Sequence, residues 1–197
     1  MHYGHKEGSL NAKMKPFLFG SRLGHTIFDL DITAFHLRQA LNFIAHVAYN
    51  DGIILFISRN PQFTLHVENL AKELKEFSIT RTWKHGLFTN AYISYGCIAR
   101  LPDLCIFFNT LDDLGQQHVG VVDAAKMNIP SVGIVDSNCD PNIICYPVPG
   151  NDDSFESFLF YKDVFKKAIL RGKKERLKVY GEHVSEFNNE VSDKKVD

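Results

Sequence analysis

Three short apolar runs constrain this chain more than anything else in it. GIILFIS (52–58), LPDLCIFFNT (101–110) and IPSVGIVD (129–136) do not alternate polar with apolar residues. A strand with one wet face alternates; a strand covered on both faces does not. Short runs of this kind, bounded by glycine, proline or a polar turn, read as fully buried strands. Between them the period changes to that of a helix. In 32–50, Leu37, Ala40, Leu41, Ile44, Val47 and Ala48 recur at helical spacing, with Asp31 or Thr33 placed to cap them. NPQFTLHVENLAKELKEF (60–77) carries Pro61 where a first helical turn tolerates proline. FTNAYISYGCIAR (88–100), HVGVVDAAKMN (118–128) and SFESFLFYKDVFKKAILRG (154–172) read as further helices, and SITRTW (78–83) and NIICYPV (142–148) as short strands. Repeated alternation of strand and helix requires crossover connections. The expected fold is therefore α/β: a doubly wound, flavodoxin-like or Rossmann-like parallel sheet of about five strands with helices on both faces.

The expected organisation is a single α/β domain over 1–172, opened by an extended N-terminal segment (1–30) and followed by a charged C-terminal extension (173–197), helical or disordered. No apolar run approaches the roughly 18 residues of a membrane span. The opening MHYGHKEGSLNAK is polar and has no apolar stretch of the signal-peptide kind. Cys97, Cys105, Cys139 and Cys145 form no C-x-x-C pair, and Cys97 and Cys105 lie in or beside apolar segments. Buried thiols in a reducing compartment are expected, rather than a disulfide framework or a zinc site.

The net charge of −1 conceals an uneven distribution. Residues 1–25 carry Lys6, Lys13, Lys15 and Arg22 against Glu7, and KKAILRGKKERLK (166–178) has Glu175 as its one acid. From 103 to 157 the balance reverses, with Lys126 alone among acids. A polyanion would be drawn to the ends and repelled by the middle.

A doubly wound sheet invites a nucleotide at the carboxyl ends of its strands. No G-x-G-x-x-G, G-x-x-x-x-G-K-[ST] or G-x-S-x-G occurs, and the turn SRNPQ (58–62) is too bulky for a pyrophosphate, so no cofactor is expected. His2, His5 and His25 have no cysteine nearby to complete a metal site and read as polar or nucleic-acid contacts. Asp136, Asp140, Asp152 and Asp153 all follow strand ends, where magnesium ligands and catalytic carboxylates sit in such folds. The first strand, however, ends in Ile57-Ser58-Arg59 without an acid. In PVPGNDDS (147–154), turn formation and helix capping account for Gly150, Asn151, Asp152 and Asp153 as a structural turn. RTWKHGLFTN (81–90) combines Arg81, Lys84 and His85 with Trp83, which either stacks on a base or packs inside a loop.

Taken in order, these segments resemble the small-subunit ribosomal protein S2 family over about residues 2–172. The resemblance is carried by HYGH (2–5), MKPFLFGSR (14–22), IFDLDIT (27–33), ILFISRNPQ (54–62), RTWKHGLFTN, LPDLCIFF (101–108), AAKMNIPSVGIVDSNCDP (124–141) and YPVPGNDDS (146–154). Bacterial members insert a helical hairpin just before the L-P-D strand; here Tyr92–Arg100 runs straight into it. A bacterial-type core without that hairpin resembles the animal mitochondrial branch. The resemblance implies a structural subunit and no enzyme, held in the mitochondrial matrix on the ribosome. Its partners would be small-subunit ribosomal RNA and neighbouring ribosomal proteins. The expected RNA contacts are Lys13, Lys15, Arg22, Arg59, Arg81, Trp83, Lys84 and His85, with no catalytic or metal-binding residue. The competing reading is a flavodoxin-like magnesium-dependent hydrolase or phosphotransfer domain using Asp136, Asp140 and Asp152.

Overall fold

A computed structural model describes residues 1–96, 100–112 and 115–193, the side chains of 181–193 excepted. Its centre is a five-stranded, wholly parallel sheet. The strands are β4 (Ile54–Ile57), β5 (Phe77–Ile79), β6 (Leu104–Phe107), β7 (Ser131–Val135) and β8 (Tyr146–Pro149), in the order β5-β4-β6-β7-β8. All four residues of β4 and of β6 are buried, as the uninterrupted apolar runs require.

The pleat of the sheet sorts these residues into two cores. Ile54, Phe56, Leu104, Ile106, Val132, Ile134 and Val148 pack against α1 (Leu30–Tyr49), α2 (Thr64–Leu74) and α5 (Phe155–Asp193). Leu55, Ile57, Cys105, Phe107 and Val135 face the other way, onto α4 (Val119–Lys126), the Trp83–Phe88 segment, and Met14 and Phe28. The doubly wound α/β sheet expected from the sequence is the sheet observed.

The differences lie at the edges. The second strand stops at Ile79, short of the expected 83, because it is an edge strand with β4 as its one partner. Residues 141–143 form a 3-10 turn, capped by Asp140, instead of opening a strand. The helix read over 88–100 is short, α3 (Ala91–Tyr95). Cys97 and the rest of 97–99 lie outside the described residues. Helix α5 continues without a break to Asp193.

The N-terminal segment also holds more structure than its sequence announces. β1 (Tyr3–Lys6), β2 (Leu18–Arg22) and β3 (His25–Phe28) form a small antiparallel sheet in the order β1-β3-β2. Buried Thr26 and Phe28 turn it toward the main domain.

Candidate functional site

The carboxyl ends of β4, β6, β7 and β8 lead into Ser58, Asn109, Asp136 and Asp152, all buried. The Ser58 hydroxyl donates to Asn109 Oδ1 (3.2 Å), and Asn109 Nδ2 donates to the Asp152 carbonyl (3.3 Å). The Asp152 N–H is aimed at Asp136 Oδ2 (3.4 Å). One line of polar contacts thus ties four strand tips together.

The N-terminal sheet closes over this edge. His5 Nδ1 stands 3.1 Å from Asp136 Oδ1, and Nε2 stands 3.2 Å from Asp153 Oδ2. The His5 N–H donates to Ser137 Oγ (2.9 Å), and Asn151 Nδ2 donates to the Tyr3 carbonyl (2.7 Å). Gly4 makes this approach possible. A Cβ there would stand 2.5 Å from Thr26 Oγ1 and 2.9 Å from Ser137 Oγ, so a side chain at residue 4 would push His5 off the strand tips.

The charges follow from these contacts. Hydrogen bonds to Asp136 and Asp153 outweigh burial and raise the His5 imidazole to about 10, so it is cationic at neutral pH. The same pairing holds Asp153 below its usual range. Burial, and then the adjoining Asp136 and Asp153 carboxylates, push Asp152 well above the usual carboxylate range. Burial raises Asp140, but the Lys13 ammonium and the Asn142 N–H outweigh it and leave this carboxyl low.

The carboxylates read as magnesium ligands in the competing hydrolase are therefore engaged within the chain. Asp136 is 1% exposed and faces His5, Asp140 pairs with Lys13, and Asp152 is buried where its charged form is disfavoured. Metal ligation needs an ionised carboxylate with a free oxygen. Among the described residues, no group of three or more His, Cys, Asp or Glu side chains has the arrangement of a metal site. Beside the clasp lies an open cleft of about 400 Å³ lined by His5, Arg59, Asn109, Asp112, Asp152 and Asp153. Arg59 donates to Asp112 Oδ1 (3.1 Å) across its mouth.

Gly150, Asn151, Asp152 and Asp153 join β8 to α5. Asn151 Oδ1 accepts from the Asp153 and Ser154 N–H groups (2.9 Å each) and leads into α5. Gly150 lies against a rigid ring, for a Cβ there would stand 2.0 Å from the Tyr161 hydroxyl.

The residues read as RNA contacts fall in three places. Lys13, Lys15 and Arg22 are exposed on the N-terminal segment. Arg59 lines the cleft, while Arg81, Lys84 and His85 are exposed in the loop after β5. Trp83 does not join them at the surface: of the two readings left open, stacking on a base or packing inside the loop, its position is the packed one. The indole is 7% exposed, donates to buried Asp123 (3.1 Å), and meets Phe88 and His118 edge to face. No ring face is left for a base.

What the sequence reading missed is the partnership of His5 with Asp136 and Asp153. The signal available was HYGH, whose glycine permits the close approach, together with GNDD; their spatial contact could not be read from spacing.

Fold and edge together define the class: a doubly wound α/β protein whose own N-terminal ribbon is pinned over its strand tips. The family described as Ribosomal protein S2 matches residues 1–101 and 93–172. The chain is 51% identical to the Small ribosomal subunit protein uS2m of Bos taurus over 176 residues, 89% of this chain and 60% of that protein. It is 29% identical to the Small ribosomal subunit protein uS2 of Rickettsia bellii over 221 residues, 92% of this chain and 76% of that protein. The Rickettsia felis counterpart is 28% identical over 225 residues. This chain belongs to the ribosomal protein S2 family. It spans 60% of the length of its bovine relative. The rickettsial alignment is longer than this whole chain, and the family match is split at 93–101, where the sequence reading places the missing hairpin.

Proposed function

We propose that the chain is a structural constituent of the small subunit of the mitochondrial ribosome. In this reading it works in the matrix, binds small-subunit ribosomal RNA and neighbouring ribosomal proteins, and catalyses no reaction. The observation that carries this is its family membership together with 51% identity to a bovine protein named for the mitochondrial small subunit. The strand-tip geometry supports it, because the groups a hydrolase would expose are used to fasten the N-terminal sheet.

Lys15, Arg22, Arg81 and Lys84 neutralise phosphates in this reading, with His85 beside them as a polar contact, and Lys13 and Arg59 do so while held by Asp140 and Asp112. A chain with net charge −1 gains its hold from many weak contacts made at once. Free, it binds RNA weakly and with a steep fall as salt rises. Silencing the gene in cells, with rescue by the full-length coding sequence, tests the role. Loss of small-subunit ribosomal RNA and of mitochondrial protein synthesis is expected. Normal levels of both after depletion would refute it.

A further inference from the structure

We propose that the β2–β3 ribbon receives an unpaired RNA nucleotide, with Phe19 as the stacking platform and Lys6, Lys15 and Arg22 as the phosphate contacts. The proposal rests on the ribosomal reading and names a contact which that reading leaves open.

The first observation is a β-bulge. Leu18 pairs with Phe28 and Gly20 with Ile27, so β2 holds one extra residue, Phe19. Ser21 pairs with buried Thr26, and unbroken alternation would carry residue 19 to that inward side as well. The bulge releases it, and Phe19 is 81% exposed. Bulges re-aim side chains in this manner, and here the side chain re-aimed is a phenyl ring set in water. Nothing stands within 4 Å of where a Cβ on Gly20 would be, so a ligand can approach the backbone beside the ring.

The second observation is charge. Lys6 and Arg22 both pair with His25, one from each side, and all three are exposed. Lys6 and Arg22 thus place two cations across the end of the sheet, with His25 between them, roughly 10 Å along the strand from Phe19. Lys15 lines a neighbouring cleft with Leu18, Gly20 and Ser21; Glu7 is the acid there. From Gly8 to Phe28 the chain contains no Asp or Glu. Glu7 and, at the other end, Asp29, whose N–H donates to the Phe17 carbonyl, are acids of this region; an exposed ring among Lys6, Lys15 and Arg22 suits a base and its phosphates better than an apolar protein pocket.

The test uses the full chain and fluorescein-labelled single-stranded oligouridine in low salt, with a blunt RNA duplex of equal length as the comparison. Phe19→Ala should weaken single-strand binding about tenfold and leave duplex binding within about twofold. Phe19→Leu should behave like alanine, and Phe19→Trp should retain full affinity. Arg22→Gln should reduce the salt slope by about one. Phe77→Ala, which removes an exposed ring from edge strand β5, should change nothing. Thermal melts of each variant show that the fold survives. Three results would each overturn the proposal: no binding of the oligomer by the unmodified chain, unchanged affinity in Phe19→Ala, or full affinity in Phe19→Leu, which marks an apolar protein contact. None of these touches ribosome membership, which sedimentation reads separately. A chain that binds the oligomer through Phe19 but is absent from small subunits would instead sink the ribosomal reading.

Discussion

Replacing His5 with glutamine removes the cation of the strand-tip clasp while leaving a hydrogen-bonding side chain in its place. Folding raises the imidazole from its ordinary 6.5 to about 10. Taken at face value, that shift corresponds to roughly 5 kcal/mol. The imidazole is 31% exposed and Asp153 is 68% exposed, so water screens that half of the clasp. Asp136, 1% exposed, is the half that counts, and about 2 kcal/mol is the expected loss near pH 6. The imidazole binds its proton more tightly folded than unfolded. Its contribution is therefore complete below about 6.5 and disappears as pH climbs through 10. Urea unfolding followed by fluorescence of Trp83, the chain's one tryptophan and a buried one, measures this directly. The gap between the unmodified chain and His5→Gln should be about 2 kcal/mol at pH 6 and close to zero at pH 10. A gap that stays constant across this range, or none at pH 6, would refute the clasp.

Three other changes follow from the same geometry. Asp152→Asn keeps the shape of the carboxyl without its charge, and burial together with Asp136 and Asp153 disfavours that charge, so near neutral pH the variant should be at least as stable as the unmodified chain; a clear loss in urea unfolding would refute the raised titration of this group. Because the folded-state proton of Asp152 is held above its ordinary range, the variant should also remove a stability loss that the unmodified chain suffers as pH rises from the acid side. Gly150→Ala drives a methyl group into the Tyr161 hydroxyl and should cost about 3 kcal/mol, visible as a lowered Tm. Leu23→Asn should raise Tm by about 2–4 °C. Leu23 sits at φ 52 in the hairpin turn, fully in water, where asparagine is the more comfortable residue.

The sheet was legible because its strands are buried on both sides. Ile54 to Ile57 and Leu104 to Phe107 lie in unbroken apolar runs of strand length bounded by glycine, proline or polar turns, and the helices between them announce themselves by period. The N-terminal sheet was not legible. Its strands are short and half-exposed, and they are joined through bulges that break the alternation a reader looks for. At the strand tips the carboxylates were visible as a pattern; the bonds that shape the turn come from Asn151, while Asp153 goes to His5. Their partner was not legible, because His5 reaches Asp136 across most of the chain, and no local rule links them. Trp83 was ambiguous on composition; only the packing of Phe88 and His118 around it decides the matter.

The central claim is that this chain serves by being held in a ribosomal subunit, its strand-tip acids spent on its own architecture. Sedimentation of mitochondrial lysate through a sucrose gradient tests that most directly, with the full-length chain and its Asp140→Asn and Asp152→Asn variants each expressed in place of the endogenous protein. All three should travel with the small subunit and its RNA. Recovery of the unmodified chain at the top of the gradient, free of ribosomal RNA, would contradict it.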